Sequence, residues 1–417
     1  MRRLLLLAYA FPPNPASGSA RAWRFYKYLP EFGYEIHVIT ASPADIPQPR
    51  VHRVAAPRRN FNERVLRKFL FPFDEDISWT LPALTAARDL HRETPFDVVL
   101  STVPYIHDHI VALVLKKEFG MPWIADYRDP IVGNALRIRH GISAEVDRFL
   151  DARFFHNADL LVAVTDRARQ EWVERAPEVA SKSEVIWNGY DPEEVIQPKP
   201  LPERPFRLMA HFGNFYGGRT PVPALASALR LIERGELDPR SFRIRLVGAL
   251  DPRFLVSHGD LYEHLIVLGC LELQPPVPRP QALEQMMQSD SLLLADNHST
   301  STRHTTVPAK LFEYIRVGRP VLALTASQSP AEQILALSGV PHVIMTDQMD
   351  AALCDARLLE FLQLPTTPVD PTPRFLAEFN GRNQARKLAG HIDTILDRRL
   401  TGGSSRAEEN GTEPVEV

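Results

Sequence analysis

Two runs in the second half of the chain put a cation where a helix begins. In the first, the apolar run Leu208–Phe212 passes into Gly213-Asn214-Phe215-Tyr216-Gly217-Gly218-Arg219-Thr220-Pro221. Thr220 suits a helix cap and Pro221 a first helical residue. Arg219 then stands at the positive end of a helix dipole, which is unfavourable unless an anion lies near. The glycines let a ligand approach the backbone closely. In the second run, Thr305-Thr306-Val307-Pro308-Ala309-Lys310-Leu311-Phe312-Glu313, Thr306 is the expected cap and Pro308 falls in the first turn. Lys310 is again a cation at a helix start, and two such cations suit a diphosphate. The plainer readings are an exposed turn arginine and an i,i+3 Lys310–Glu313 surface pair, worth only about 0.2–0.5 kcal/mol.

The first half offers three further stretches. The loop Ala10–Ala20 carries one glycine, Gly18, before a helix-like segment. Such a loop presents backbone N–H groups to a phosphate, or is a plain surface turn. It is neither the G-x-G-x-x-G fingerprint nor a P-loop. The run Pro122-Trp123-Ile124-Ala125-Asp126-Tyr127-Arg128-Asp129 leaves a short strand in a charged cluster. Asp126 and Asp129 suit sugar hydroxyls or a base role; the plainer reading is Arg128 neutralising its neighbours. His107 and His109 are two apart and do not share a helix face, so a zinc pair is disfavoured. Asp74-Glu75-Asp76 is a literal D-x-D that no strand clearly precedes, and it is discounted.

These residues need elements to hold them. Apolar runs at Leu4–Tyr9, Ile36–Thr40, Val98–Ser101, Trp123–Ala125, Leu160–Val164 and Val185–Trp187 alternate with amphipathic stretches. The pattern predicts βαβ units around a parallel sheet covered on both faces. Residues 192–206 are rich in proline and read as a linker. The logic then repeats, with runs at Leu208–Phe212, Ile244–Val247, Leu265–Leu268, Leu292–Ala295, Val321–Leu324 and Val343–Met345. A helical segment is expected over Arg374–Arg399. The predicted domains are 1–195, 196–372, a helical segment 373–400 and a disordered tail 401–417. In open α/β sheets ligands bind at the carboxyl ends of strands, where the charged runs above fall.

Composition bounds the answer. The 417 residues carry 48 Lys and Arg against 51 Asp and Glu, for a net charge of −3. That balance does not suggest a nucleic-acid partner. Cys270 and Cys354 are too few for a disulfide framework and suit a reducing compartment. The opening Met1–Ala10 has too short an apolar run for a signal peptide and reads as a buried first strand. A cytoplasmic location is expected. Residues 57–73 form a short basic, amphipathic stretch that either rests on an anionic membrane surface or packs on its own domain.

Taken together the motifs resemble the glycosyltransferases of the GT-B fold, family 4 (group 1). The resemblance runs through Ala8-Tyr9-Ala10-Phe11-Pro12-Pro13, Tyr28–Thr40, Ser101–Tyr105, Pro122–Asp129, Trp187–Asp191, His211–Arg219 and Val307–Tyr314. It implies an α/β protein of two tandem Rossmann-like, doubly wound domains facing a cleft, with a C-terminal helix returning to the first. It implies a sugar transferase that is metal-independent, uses no cofactor and retains anomeric configuration. The donor is a nucleoside-diphosphate sugar and the acceptor a saccharide or lipid-linked molecule. The setting it suggests is surface polysaccharide or glycolipid assembly, peripheral to a membrane. Donor residues would be Gly213, Asn214, Gly218, Arg219, Thr306, Lys310 and Glu313, with Arg219 and Lys310 on the diphosphate and Glu313 on the ribose. Acceptor-side residues would be Gly18, His109, Asp126, Arg128 and Asp129, with Asp126 also catalytic. The first glutamate of the family's E-x7-E element falls at Thr305. A nucleotide-sugar 2-epimerase on the same fold and a non-catalytic nucleotide-sugar binder remain alternatives.

Overall fold

Leu4, Leu5, Leu6 and Leu7 lie on one strand and all four are fully buried. Successive side chains point to opposite faces, so Leu5 and Leu7 join one hydrophobic cluster while Leu4 and Leu6 join another. Both faces of this sheet are therefore covered, as the continuous apolar runs require. The computed structural model describes residues 1–14, 17–43, 47–57, 70–71, 76–134, 139–216, 218–296 and 305–408. Most of the amphipathic stretch 57–73 and the end of the expected tail lie outside the described residues.

The chain divides into two units, residues 1–188 with the chain from Gly381 onward, and Gly189–Asn380. In the first unit the strands are β1 Arg2–Leu7, β2 Tyr34–Thr40, β3 Val51–Arg53, β4 Val98–Val103, β5 Trp123–Tyr127, β6 Leu160–Ala163 and β7 Ser183–Val185. The helices between them include α1 Ser17–Tyr28, α2 Thr80–Glu93, α3 Ile106–Phe119, α4 Ile142–Asn157 and α5 Asp166–Arg175. The parallel sheet has the order β3-β2-β1-β4-β5-β6-β7. The order reverses between β1 and β4, where Leu4–Leu7 pairs with Val98–Ser101.

In the second unit the strands are β8 Arg207–Phe212, β9 Phe242–Val247, β10 Leu271–Gln274, β11 Ser291–Ala295, β12 Val321–Leu324 and β13 His342–Met345. Helices α6 Val222–Glu233, α7 Pro252–Val267, α8 Arg279–Met287, α9 Lys310–Val317, α10 Pro330–Ser338, α11 Ala351–Gln363 and α12 Pro373–Glu378 connect and follow them. The sheet order is β10-β9-β8-β11-β12-β13, with the reversal between β8 and β11. Each reversal is a topological switch point, the place where an open α/β sheet leaves a ligand crevice.

Three expectations are corrected. The apolar run Leu265–Leu268 lies at the end of α7, not in a strand. A four-residue apolar run does not distinguish a buried strand from a buried helical turn. Gly269, at φ 72, stops that helix, and the strand is Leu271–Gln274. The segment Arg374–Arg399 is two helices: α12 stays with the second unit, and α13 Gly381–Glu408 packs on the first. Ala385, Leu388, Ala389 and Ile392 of α13 join Ala22 and Phe25 of α1 in one cluster, which returns the C-terminal helix to the first unit. Finally, α13 runs past Gly402 and Gly403, where the tail was expected to begin.

Candidate functional site

Strand β8 ends against a buried hydroxyl. Phe212 N–H donates to the Tyr314 hydroxyl at 2.8 Å, tying the strand's carboxyl end to α9. The next residue, Gly213, has φ 122, and a Cβ there would lie 2.5 Å from Lys310 Nζ. A side chain at this position is strained and would occupy the space the ammonium group holds. Gly213→Ala is therefore expected to displace Lys310 and to lower stability by about 1–3 kcal/mol, read from urea unfolding.

Lys310 is the first residue of α9, and its ammonium end is the buried part of the side chain. Nζ lies 3.1 Å from His211 Nε2, and His211 Nδ1 lies 2.8 Å from Leu293 O. The carbonyl can only accept, so His211 carries its proton on Nδ1 and offers Nε2 to the ammonium. Burial, with Lys310 beside it, holds the His211 pKa well below its usual value and keeps it neutral. Burial first, and the positive charge of Arg219 second, pull the Lys310 pKa down to about 7. Arg219 donates to the Tyr216 hydroxyl at 2.6 Å and lies 3.6 Å from the Asp296 carboxylate. Its guanidinium sits over the Tyr216 ring, 5.1 Å from the centroid. Asp296 follows β11 directly, so Gly213, Arg219, Asp296 and Lys310 gather at the β8/β11 switch point.

The structure gives the remaining donor-side residues other employment. Asn214 Oδ1 accepts from Ala249 N at 3.0 Å and so fastens the loop after β9. Gly218 lies in the turn before Arg219, whose N–H donates to Tyr216 O at 3.1 Å. Thr306 does not cap α9: the cap position is Ala309, with no side-chain hydrogen bond. Ala309 already has helical dihedrals, and Leu311 N bonds Pro308 O. Thr220 does accept from Val222 N at 3.2 Å, one residue ahead of the cap at Pro221. Glu313 is not Lys310's surface partner. It accepts from Arg279, whose other nitrogen reaches both carboxylate oxygens of Glu194 at 2.7 and 2.8 Å. Thr305 is buried.

In the first unit the expected roles are redistributed. Asp126 is fully buried and accepts from Arg21 Nη2 at 2.7 Å, Arg21 Nε at 2.9 Å and Thr102 Oγ1 at 2.8 Å. Arg21, not Arg128, neutralises it. His109 is a core residue: Ser101 Oγ lies 2.8 Å from its Nδ1, and Trp123, Tyr127 and Phe154 surround the ring. Burial pushes its pKa down to about 3, so it stays neutral. Its contribution to stability is lost only as pH falls from 6.5 towards 3, the range where the unfolded chain takes up the proton first. Neither residue is placed to meet an acceptor. Arg128 and Asp129 do stay near the surface beyond β5, with Arg128 lying over Gly18.

Tyr9, Tyr105 and His107, to which the sequence assigned no site role, meet at the β1/β4 switch point. The Tyr105 and His107 rings stack at 5.5 Å and 9°, and Tyr9 lies 4.8 Å from Tyr105. Tyr9 N–H donates to Asp108 at 3.1 Å, and its hydroxyl donates to Asp76. His211 stood in the quoted motif without a role of its own, and Asp296 was not singled out although the end of the run Leu292–Ala295 could have flagged it. No group of three or more His, Cys, Asp or Glu suited to a metal occurs among the described residues.

Residues 18–194 match the model of Glycosyltransferase Family 4. Sucrose-phosphate synthase from Thermosynechococcus elongatus has a similar structure, with 13% identity and TM-score 0.63 over 99% of this chain and 100% of that one. So does Anabaena HepE in complex with UDP-glucose, with 13% identity and TM-score 0.59 over 97% and 100%. WaaG, a glycosyltransferase involved in lipopolysaccharide biosynthesis, is similar at 14% identity and TM-score 0.56 over 93% and 95%. At these identities the likeness is one of fold, and that fold is GT-B. No curated protein sequence matches the chain.

Proposed function

We propose that this GT-B chain, of the family 4 glycosyltransferase type, transfers a sugar from a nucleoside-diphosphate sugar to a saccharide or lipid-linked acceptor. The observation that carries the reading is the cluster of Arg219, Lys310, His211 and Asp296 around Gly213. When the anomeric bond breaks, the departing diphosphate gains negative charge. Preformed donors and dipoles aimed at developing charge are commonly the largest catalytic term. Here Arg219 and Lys310 supply the cations, and the N-terminus of α9 supplies backbone dipoles. That two-cation arrangement supports a transfer without metal; retention of configuration goes with it as part of the same reading. His211, neutral and fixed by Leu293, holds the ammonium towards Gly213. Glu313 is the candidate for the ribose hydroxyls, oriented by Arg279. The donor class follows HepE, which is seen with UDP-glucose. The setting, assembly of a surface polysaccharide or glycolipid, follows WaaG. No helix among the described residues is long and apolar enough to cross a membrane. Contact with a membrane surface through 57–73 belongs to the proposal.

Lys310 gives the reading a pH signature. Only its charged form attracts the diphosphate, so donor affinity is expected to fall as pH rises through about 7. Stability moves the other way. Between pH 7 and the ordinary lysine value of 10.5 the unfolded chain binds a proton that the folded site has released, so stability rises with pH across that window. Donor titrations from pH 6 to 8.5 check the first statement; urea midpoints over pH 7 to 10.5 check the second.

The test is release of nucleoside diphosphate from a panel of nucleotide-sugars, with and without candidate acceptors. Acceptor-dependent release that Arg219→Ala abolishes is the expected result. Acceptor-independent isomerisation would favour the 2-epimerase. Donor binding with no turnover under any acceptor would make the protein a silent nucleotide-sugar binder.

A further inference from the structure

We propose that Glu194 is a positioning residue: by holding Arg279 it leaves one oxygen of Glu313 free for a ribose hydroxyl, and so makes the site prefer ribonucleoside over deoxyribonucleoside diphosphates. The inference rests on the reading of Glu313 as the ribose contact. Arg279 opens α8, where the helix dipole repels a cation. Two carboxylates hold it there. Its Nη1 donates to Glu313 Oε1, and its Nη2 straddles Glu194, 2.7 Å from Oε1 and 2.8 Å from Oε2. Glu313 Oε2 bonds no described residue. The Glu313 side chain is 17% exposed, so that oxygen is within reach of a ligand. One oxygen of Glu313 is therefore occupied and the other is open.

Glu194 is itself fixed in place. It lies near the start of the second unit, in a turn that Asp191 closes. Glu193 N donates to Asp191 Oδ1 at 3.0 Å, and Glu194 N donates to Asp191 O at 3.1 Å. Arg316 fastens this turn to α9, donating to Asp191 O at 3.3 Å and to Glu194 O at 2.5 Å. Its guanidinium lies 4.6 Å from the centroid of the Tyr190 ring. Arg316 is three residues from Glu313, so one face of α9 carries both Glu313 and the staple that places Glu194. Without the Glu194 charge, the two outer nitrogens of Arg279 match both oxygens of Glu313. That fork–fork pair is the favoured arrangement of a guanidinium and a carboxylate, and it occupies the oxygen the hydroxyl needs. The Arg279 side chain is 55% exposed, and exposed ion pairs add little to stability. Loss of the Glu194 charge therefore leaves the fold intact and shows in ligand selectivity.

The probes are the common ribonucleoside diphosphates and, for the one bound most tightly, its 2′-deoxy and 3′-deoxy forms, each titrated calorimetrically into the full chain. In the wild type at least one deoxy form is expected to bind at least about tenfold more weakly, the loss that goes with one hydrogen bond to a charged group. In Glu194→Gln that ratio is expected to fall to about twofold or less through weaker binding of the ribo form, with the thermal midpoint within about 2 °C of the wild type. The double variant Glu194→Gln with Arg279→Gln is expected to recover a ratio of at least about fivefold, because a terminal amide has no two-nitrogen fork to close on Glu313. A ratio that Glu194→Gln leaves unchanged overturns the proposal. So does a lost ratio that the double variant fails to recover, or equal weakening of the ribo and deoxy forms, which marks a structural role. Equal affinity for ribo and deoxy forms in the wild type overturns it together with the ribose role of Glu313. Failure of every ribonucleoside diphosphate to bind is a different result: it removes the donor-site reading itself, and the proposal with it.

Discussion

Replacing Lys310 with methionine is expected to lower turnover by about 10²–10³-fold, the loss typical when one preformed donor to a developing oxyanion is removed. The physical case rests on where the ammonium sits. It is buried against Gly213, its hydrogen bond goes to a neutral imidazole, and Arg219 repels it. A cation in such a place destabilises the free protein, since burial disfavours its charge. Methionine has a similar unbranched shape and no charge to desolvate. The thermal midpoint at pH 6 should therefore hold or rise while activity disappears. A variant that is more stable and inactive separates a functional cation from a structural one. If Lys310→Met keeps near-normal turnover, Lys310 is not on the diphosphate. If it unfolds the protein, Lys310 is a fold residue.

The second large effect is one of stability. Arg21→Leu is expected to lower the unfolding free energy by about 3–5 kcal/mol, because it leaves Asp126 buried and unpaired. Arg21 is 2% exposed and Asp126 fully buried. Arg21 also donates to Trp187 O and Asn188 Oδ1 at 3.1 and 3.2 Å, so the loss reaches the end of the first unit's chain segment. The double variant Arg21→Leu with Asp126→Leu removes both charges and should cost less than the sum of the two single changes. Urea unfolding of the four proteins measures the coupling. Additive effects would show that Arg21 and Asp126 do not depend on each other, and would return Asp126 to candidacy as a catalytic group.

The fold was readable because burial on both sheet faces writes a strand as an unbroken apolar run. β1, β2, β4, β5, β6, β8, β9, β11, β12 and β13 each overlap such a run. What failed was period, not hydrophobicity: Leu265–Leu268 is apolar in a helix for the same reason that Leu292–Ala295 is apolar in a strand. The candidate site left a mark in the sequence where the backbone demands special residues. Gly213, Gly218 and Arg219 stand out because glycines and a cation at a helix start are unusual in sequence. Partnerships were not readable. Arg21 and Asp126 are 105 residues apart, Lys310 and His211 are 99 apart, and Arg279 and Glu313 are 34 apart. Nothing local marks such pairs. The i,i+3 spacing of Lys310 and Glu313 suggested a pair that folding does not make, since Lys310 turns inward to His211 and Glu313 turns to Arg279. The resemblance put His109 on the acceptor side, but the packing of Trp123, Tyr127 and Phe154 around it makes it part of the core.

Under the proposed function the second unit holds a nucleoside diphosphate between Arg219 and Lys310. Isothermal titration of the full chain with a panel of nucleoside diphosphates tests it most directly, run at pH 6 on the wild type, Arg219→Ala and Lys310→Met. Saturable binding of at least one nucleoside diphosphate is expected, with a loss of at least about tenfold in affinity in each variant. Binding that neither variant weakens would contradict it, as would no binding by any nucleotide.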